Sequence, residues 1–344
     1  MTINTFPIQQ PENQMKRKQI WQIVGLLVVI GAIVAMFVWF VDLQAVGEVL
    51  RTAVPSHLIL ASILLILGLL FYAMRWRLLL GNKPTLLQTF HASNIGHAGN
   101  IIVPARAGEA MRIVVLGRSE AVTYTEATSS FVVERLFEQL LRLLALVTAV
   151  AVGAGIELSP GTILGGVAVL VAAFAGIQWL VRRRERVLAH WPARFANLPR
   201  ITEAGARRTL TDLLDNLTAV SEPKQLALVM GTSLLAWGCF WGFFYATLLA
   251  LGDGFPVADR LAVSLGALAL SPPSAPTQPG IFHASVVVPL AAVGFNEVAL
   301  TAYAVLLHIL EMVWMIGLAI VGLAQTGLSV GSMLQPDPAA TDSQ

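Results

Sequence analysis

The sequence predicts an all-α, polytopic membrane helix bundle with about six full crossings plus two re-entrant helical hairpins arranged as an inverted repeat. Three observations lead there. Of 344 residues, 56% are hydrophobic and only 12% charged, whereas an average soluble protein is roughly a quarter charged. The apolar residues fall into blocks that match the ~20 residues one helix needs to cross a bilayer. Two blocks are broken in the middle by proline and glycine. With a mean hydropathy of +0.73, a soluble globular domain of this length is excluded.

Residues 1–19 form a polar cytoplasmic tail ending in Lys16, Arg17 and Lys18 before the first apolar block. That block, Ile20–Val41, runs 22 residues without a charge. It is too long for a signal-peptide apolar region of ~7–15 residues, so it reads as a first transmembrane helix. Five further segments are expected to cross: His57–Met74, Ala127–Gly153, Pro160–Val181, Gln225–Leu251 and Glu297–Gln325. Residues 20–326 then make one transmembrane domain, and 327–344 a second cytoplasmic tail.

The broken blocks are Thr85–Leu116 and Val257–Val293. In the first, Thr85–Gly99 makes about 22 Å of helix at ~1.5 Å per residue, short of the ~30 Å hydrocarbon core. The arms Val257–Leu270 and Ile281–Val293 are similarly short. Each block is therefore read as a hairpin that enters and leaves on one side, with two short tilted full crossings as the alternative. On this topology 15 basic residues lie inside and two, Arg51 and Arg260, outside. The positive-inside rule then places both termini in the cytoplasm. The halves 57–153 and 225–325 repeat helix, hairpin, helix in opposite senses, a pattern that points to a transporter's midplane site. The basic stretch 182–224 is expected to be an ordinary cytoplasmic loop. A surface amphipathic helix using Val187, Leu188, Trp191 and Phe195 is the alternative.

The chemistry concentrates in NIIVPARAGEAMR (Asn100–Arg112) and VVERLFEQLLR (Val132–Arg142). Glu134 and Glu138 lie four apart on one helix face and repel each other, so a cation must neutralise them within the membrane. Arg142 can reach Glu138, and Arg106 and Arg112 are the other partners. Pro104 ends one hairpin arm, and Gly99 and Gly108 allow close backbone approach. The next arm, from about Ala105, exposes N–H groups beside Arg106, an arrangement suited to phosphate. Glu109 and Arg112 lie one turn deeper. An interfacial ion network that binds nothing is the competing reading. The outer break, SPPSAPTQPG (Ser271–Gly280), cannot be helical. His283 follows it, and His308 and Glu311 are three apart on the last helix, either as packing residues or as a polar site or proton relay.

Other chemistries find no support. Cys239 is the only cysteine, so there is neither a disulfide framework nor a cysteine metal site. His91 and His97 lack a carboxylate in register, and HExxH, GxSxG and Walker A motifs are missing. No cofactor or metal, no enzymatic activity and no nucleic-acid partner are expected. Gly161 and Gly165 form a GxxxG suited to helix packing.

The pattern N-x-x-x-P-x-R-x-G-E-x-x-R, here Asn100, Pro104, Arg106, Gly108, Glu109 and Arg112, is followed by V-x-E-R containing Glu134 and Arg135. It resembles the lysylphosphatidylglycerol synthetase transmembrane-region family of flippase-like integral membrane proteins, over roughly residues 20–325. The resemblance implies a bacterial or archaeal cytoplasmic-membrane protein that moves a lipid or supports lipid-linked envelope synthesis. It adds Asn100 and Arg135 to a candidate binding set of Arg106, Glu109, Arg112, Glu134, Glu138, His283, His308 and Glu311. Some relatives carry a C-terminal cytosolic domain that attaches lysine to phosphatidylglycerol; that domain is expected to be absent here. The outer break reads TQPGIF, with His283 where the family often has an acid. The expected function is translocation of an anionic phospholipid, glycolipid or related envelope lipid. The alternatives are a secondary transporter of a small polar solute, and a non-transporting scaffold for an envelope lipid-synthesis enzyme.

Overall fold

A computed structural model describes residues 47–48, 51–102, 107–119, 121–153, 161, 164–165, 168, 172, 175–176, 179, 181–195, 202–271 and 280–326. Among these it is all-helical. The first half holds α1 (Pro55–Leu79), α2 (Leu86–Ile102), α3 (Ala107–Gly117) and α4 (Tyr124–Gly153). Two connecting helices follow, α5 (Arg184–Phe195) and α6 (Glu203–Ser221). The second half holds α7 (Pro223–Ala250), a 3₁₀ turn, α8 (Val257–Leu270), α9 (Ile281–Val293) and α10 (Glu297–Thr326).

Four helices, α1, α4, α7 and α10, are long and apolar enough to cross a membrane. They expose large side chains such as Ile63, Val150, Leu235 and Val313, which suits hydrocarbon as the surrounding solvent. They coincide with four of the six expected crossings. Ile20–Val41 and most of Pro160–Val181 lie outside the described residues, as do the breaks at 103–106 and 272–279. The arms α8 and α9 have the expected bounds.

The arms α2 and α3 meet backbone to backbone. A Cβ added to Gly108 would lie 2.5 Å from the Asn100 amide nitrogen, and closer still to the Gly96 carbonyl oxygen. One added to Gly99 would lie 2.9 Å from the Gly108 Cα. Only glycine permits this seam, so the expected close approach at Gly99 and Gly108 is present.

The stretch expected to be a loop folds instead into α5 and α6. Apolar residues at helical spacing explain the difference: Leu213, Leu214 and Leu217 on α6, with Val187 on α5, pack against Leu79, Val133, Phe137 and Val229. Thr202 caps α6 by accepting the Gly205 N–H, and Arg184 pairs with Asp215.

The halves interlock through antiparallel contacts. Along α1 and α7, the Val54 N–H donates to the Ala250 carbonyl at 2.8 Å. Phe240 sits on Gly68 and Leu64 on Gly242, and the Gln225 side chain donates to the Leu78 carbonyl at 2.8 Å. Each half then lends one short arm to the other: α8 lies along α4 and α2 along α10. Ala149 faces Gly266 and Gly153 faces Ala262, while His91 lies over Gly322 and meets Gln325 at 2.8 Å.

Candidate functional site

The site is built around Glu134, fully buried on α4. Arg112 from α3 grips it with two contacts, Nη2 to Oε2 at 2.6 Å and Nη1 to Oε1 at 3.3 Å. Arg75 from α1 approaches Oε1 at 3.3 Å. The expected ion pair between the hairpin arginine and the α4 carboxylates is therefore present. Arg75 corrects the sequence reading, which counted it among the cytoplasmic loop cations. Its guanidinium is instead fully buried, 3.9 Å from Glu138 as well. Tyr72, Trp76 and Leu79 carry one buried face of α1 past Met74 at three- and four-residue spacing, and Arg75 is buried beside them.

Aromatic side chains complete the enclosure. Arg112 lies 3.9 Å over the Trp76 ring, and Trp76 donates to the Ser130 hydroxyl at 3.0 Å. The Tyr72 hydroxyl accepts from Arg112 at 2.6 Å and from Arg135 at 3.4 Å. Arg135 also pairs with Glu138 at 3.0 Å and approaches Glu109 at 4.0 Å. Sequence reasoning missed Tyr72 and Trp76, because aromatic side chains in an apolar helix carry no charge pattern, and it weighed His97 only as a metal ligand. Asn100 is buried above the Gly108 seam. Arg106 lies outside the described residues.

Arg142, one turn beyond Glu138, reaches across to the second half. Its Nη1 donates to the Ala269 carbonyl at 2.8 Å and to the Ser271 carbonyl, while Nη2 stays 4.0 Å from Glu138. It thus places positive charge against the C-terminal carbonyls of α8, where the helix dipole is negative. In all, four arginines (75, 112, 135 and 142) surround the two buried carboxylates of Glu134 and Glu138. The partly exposed Glu109 at the edge leaves the group net positive.

A cavity of about 80 Å³ opens between the halves. Its polar wall is Tyr72, His97, Glu138 and Arg142, and its apolar wall includes Leu69, Trp237, Phe240, Phe244 and Leu268. Glu311 closes the far side. Near it, the His283 and His308 rings lie 5.0 Å apart, and Phe282 lies 5.0 Å from His308. The structure therefore separates the predicted residues into an α3–α4 group and an α9–α10 group, with Glu138 and Glu311 on one shared cavity. Arg112 is held away from that space by Glu134 and Tyr72. Arg142 is the arginine on its wall.

The sequence profile of the lysylphosphatidylglycerol synthase TM region matches residues 22–320. Among curated proteins the chain is similar to Glycosyltransferase AglD of Haloferax volcanii, 27% identical over 349 residues. That match covers 91% of this chain and 54% of the relative, so the chain spans about half the relative's length. No solved structure matches.

Proposed function

The chain belongs to the lysylphosphatidylglycerol synthase TM-region family, and from that premise we propose that this integral membrane protein moves an anionic lipid across the bilayer. The single observation that carries the reading is the cavity between the halves. It sets Arg142, Tyr72 and His97 opposite an apolar wall of Leu69, Trp237, Phe240 and Phe244. A phosphate headgroup fits the first wall, through charge-assisted hydrogen bonds. An acyl chain fits the second. A small polar solute has no use for the apolar wall.

In this reading Arg142 contacts the headgroup, and Arg112, Arg75 and Glu134 are positioning residues that hold α1, α3 and α4 together. The lipid is a phospholipid, glycolipid or related envelope lipid bearing phosphate. Its phosphate would compete for the Arg142 donors now directed at Ala269 and Ser271. Binding would thus loosen the contact between α4 and the outer arm α8, which links occupancy to movement of the halves. Alternating access of two inverted repeats needs such a link.

The interlocked contacts support the inverted repeat. Counted from the starts of α4 and α10 at Tyr124 and Glu297, Glu138 and Glu311 are each the fifteenth residue, and both line the cavity. With Ile20–Val41 and Pro160–Val181 as the remaining crossings, both termini are cytoplasmic. Removing the buried Arg75 from the tally still leaves 14 basic residues inside against two outside.

The test is mass spectrometry of lipids retained through purification. Wild-type protein should retain a phosphate-bearing lipid that Arg142→Gln loses. Equal retention by the two proteins would count against the headgroup assignment. A second reading, a membrane module serving an envelope lipid-synthesis enzyme, is favoured by the relative's name and its greater length. It expects no lipid movement by this chain alone.

A further inference from the structure

The residues of α9 and α10 that reach the cavity are not an arbitrary polar cluster. Among the described residues Glu109 lies in the first turn of α3, and His283 lies in the first turn of α9. Arg135 is the twelfth residue of α4, and His308 is the twelfth residue of α10. Glu138 and Glu311 are the fifteenth. The contacts are matched too. Glu109 approaches Arg135 at 4.0 Å, while the His283 and His308 rings lie 5.0 Å apart. The two halves thus carry matching trios, of which Glu138 and Glu311 both line the cavity, but the second half puts imidazoles where the first has a carboxylate and a guanidinium.

We propose that His283, His308 and Glu311 form a second, proton-dependent phosphate half-site, which shares the cavity with Arg142 and stands at positions matching Glu109, Arg135 and Glu138 of the first half. The proposal rests on the lipid reading above for its ligand, and on the matched positions for its existence. His308 is 2% exposed and Glu311 8%, and neither His308 Nε2 nor Glu311 Oε2 has a hydrogen-bond partner among the described residues. Buried polar atoms of this kind normally find one. A phosphate oxygen would serve His308 Nε2–H. A proton on Glu311 would let it donate as well.

The chemistry differs from the first half-site in one respect. Arg135 carries a fixed charge, whereas an imidazole attracts phosphate only when protonated. The second half-site therefore holds the headgroup when protons are available and lets it go when they are not. His283 adds a structural consequence, since its Nδ1 accepts the Gly280 N–H at 3.2 Å. Protonation of Nδ1 removes that acceptor and frees the start of α9 beside the proline-rich break. The other titratable or charged groups facing this trio are Tyr303 on α10, Tyr72 on α1, His97 on α2, and Glu138 and Arg142 on α4. The cavity residues from α7 and α8, namely Trp237, Phe240, Phe244, Leu268 and Ser271, do not titrate in this range.

The experiment uses the full chain in two arms. One measures movement of phosphatidylglycerol in vesicles, and the other binding of inorganic phosphate to purified protein, each from about pH 8 to pH 4. Wild type should gain about tenfold in phosphate capture as pH falls, the equivalent of ~1.4 kcal/mol. His308→Gln should be flat and weak. His308→Arg, which copies the first half, should be flat and strong, and it decides the matter if the Gln protein fails to fold. A response to both probes identifies a bare phosphate site, and a response to vesicles alone identifies a lipid headgroup. Wild-type behaviour that is flat in pH, or retention of the wild-type slope by His308→Arg, overturns the proposal. Lipid movement with a flat profile defeats this half-site alone. Proton-dependent phosphate binding without lipid movement defeats the transport reading and leaves the half-site standing.

Discussion

Replacing Glu134 by glutamine should damage the protein more than replacing either arginine that it holds. The Glu134 side chain has no exposed surface, and those of Arg75 and Arg112 are 1% and 3% exposed. One carboxylate thus neutralises two buried guanidiniums. Removing it leaves both without their main counter-charge, and stripping one partner from a buried pair costs ~3–5 kcal/mol. Removing Arg112 instead leaves Glu134 with Arg75 at 3.3 Å. That change forfeits mainly a charge-assisted hydrogen bond, ~1.5–3 kcal/mol. The double variant Glu134→Gln, Arg112→Met should recover part of the loss, because only Arg75 is then left short of charge. Unfolding free energies in bicelles, measured as a double-mutant cycle, would read this ordering. A loss of under about 1 kcal/mol for Glu134→Gln, or strictly additive losses in the double variant, would refute the shared-carboxylate reasoning.

Other expectations follow from single features. Gly108→Ala should abolish monodisperse protein on size-exclusion chromatography, because its Cβ would lie 2.7 Å from Asn100 Oδ1 with backbone atoms closer. Gly231→Ala, with nothing within 4 Å, should be neutral or slightly stabilising. Asp212, on the connecting helix α6, has its carboxyl held above the usual range by burial and by neighbouring Glu126 and Asp215. The folded state then binds a proton that the unfolded state has already released, so this group's contribution to stability falls as pH rises through its folded range. Asp212→Asn should accordingly raise the thermal midpoint at neutral pH, with the gain fading below the ordinary aspartate value of ~3.9; a gain that grows on acidification would contradict this. Cysteines at Gln10, Ser56 and Asp253 should label from inside, outside and outside respectively. Labelling of position 10 from outside would reverse the topology.

Much of this arrangement was legible in the sequence because bilayer physics makes it so. Uninterrupted apolar length gave the four described crossings, and proline and glycine gave the outer arms with their bounds. The charge argument at Glu134 and Glu138 also led correctly to Arg112, since two buried like charges demand a cation. What the pattern hid was the third dimension. Arg75 read as a loop cation because nothing local distinguishes a buried guanidinium from an interfacial one until α4 is placed beside α1. Arg142 read as a helix partner of Glu138, and its reach to Ala269 and Ser271 depends on the exchange of short arms between halves. The connecting helices were read as a loop, with a helix over Val187–Phe195 only as the alternative, because their arginines masked the apolar spacing of Leu213, Leu214 and Leu217. The likeness of Arg135-x-x-Glu138 to His308-x-x-Glu311 was present in the letters, but it acquired meaning only once both were counted from the starts of their helices and Glu138 and Glu311 were found on one cavity.

The central claim, that the cavity receives a lipid phosphate through Arg142, is tested most directly in vesicles. Purified wild-type protein and Arg142→Gln would be reconstituted at equal density, and the movement of fluorescent phosphatidylglycerol between leaflets followed. The account predicts movement by wild type, slowed about 10- to 100-fold in Arg142→Gln through loss of a charge-assisted contact of ~1.5–3 kcal/mol. Movement at the wild-type rate by a correctly inserted Arg142→Gln protein would contradict it.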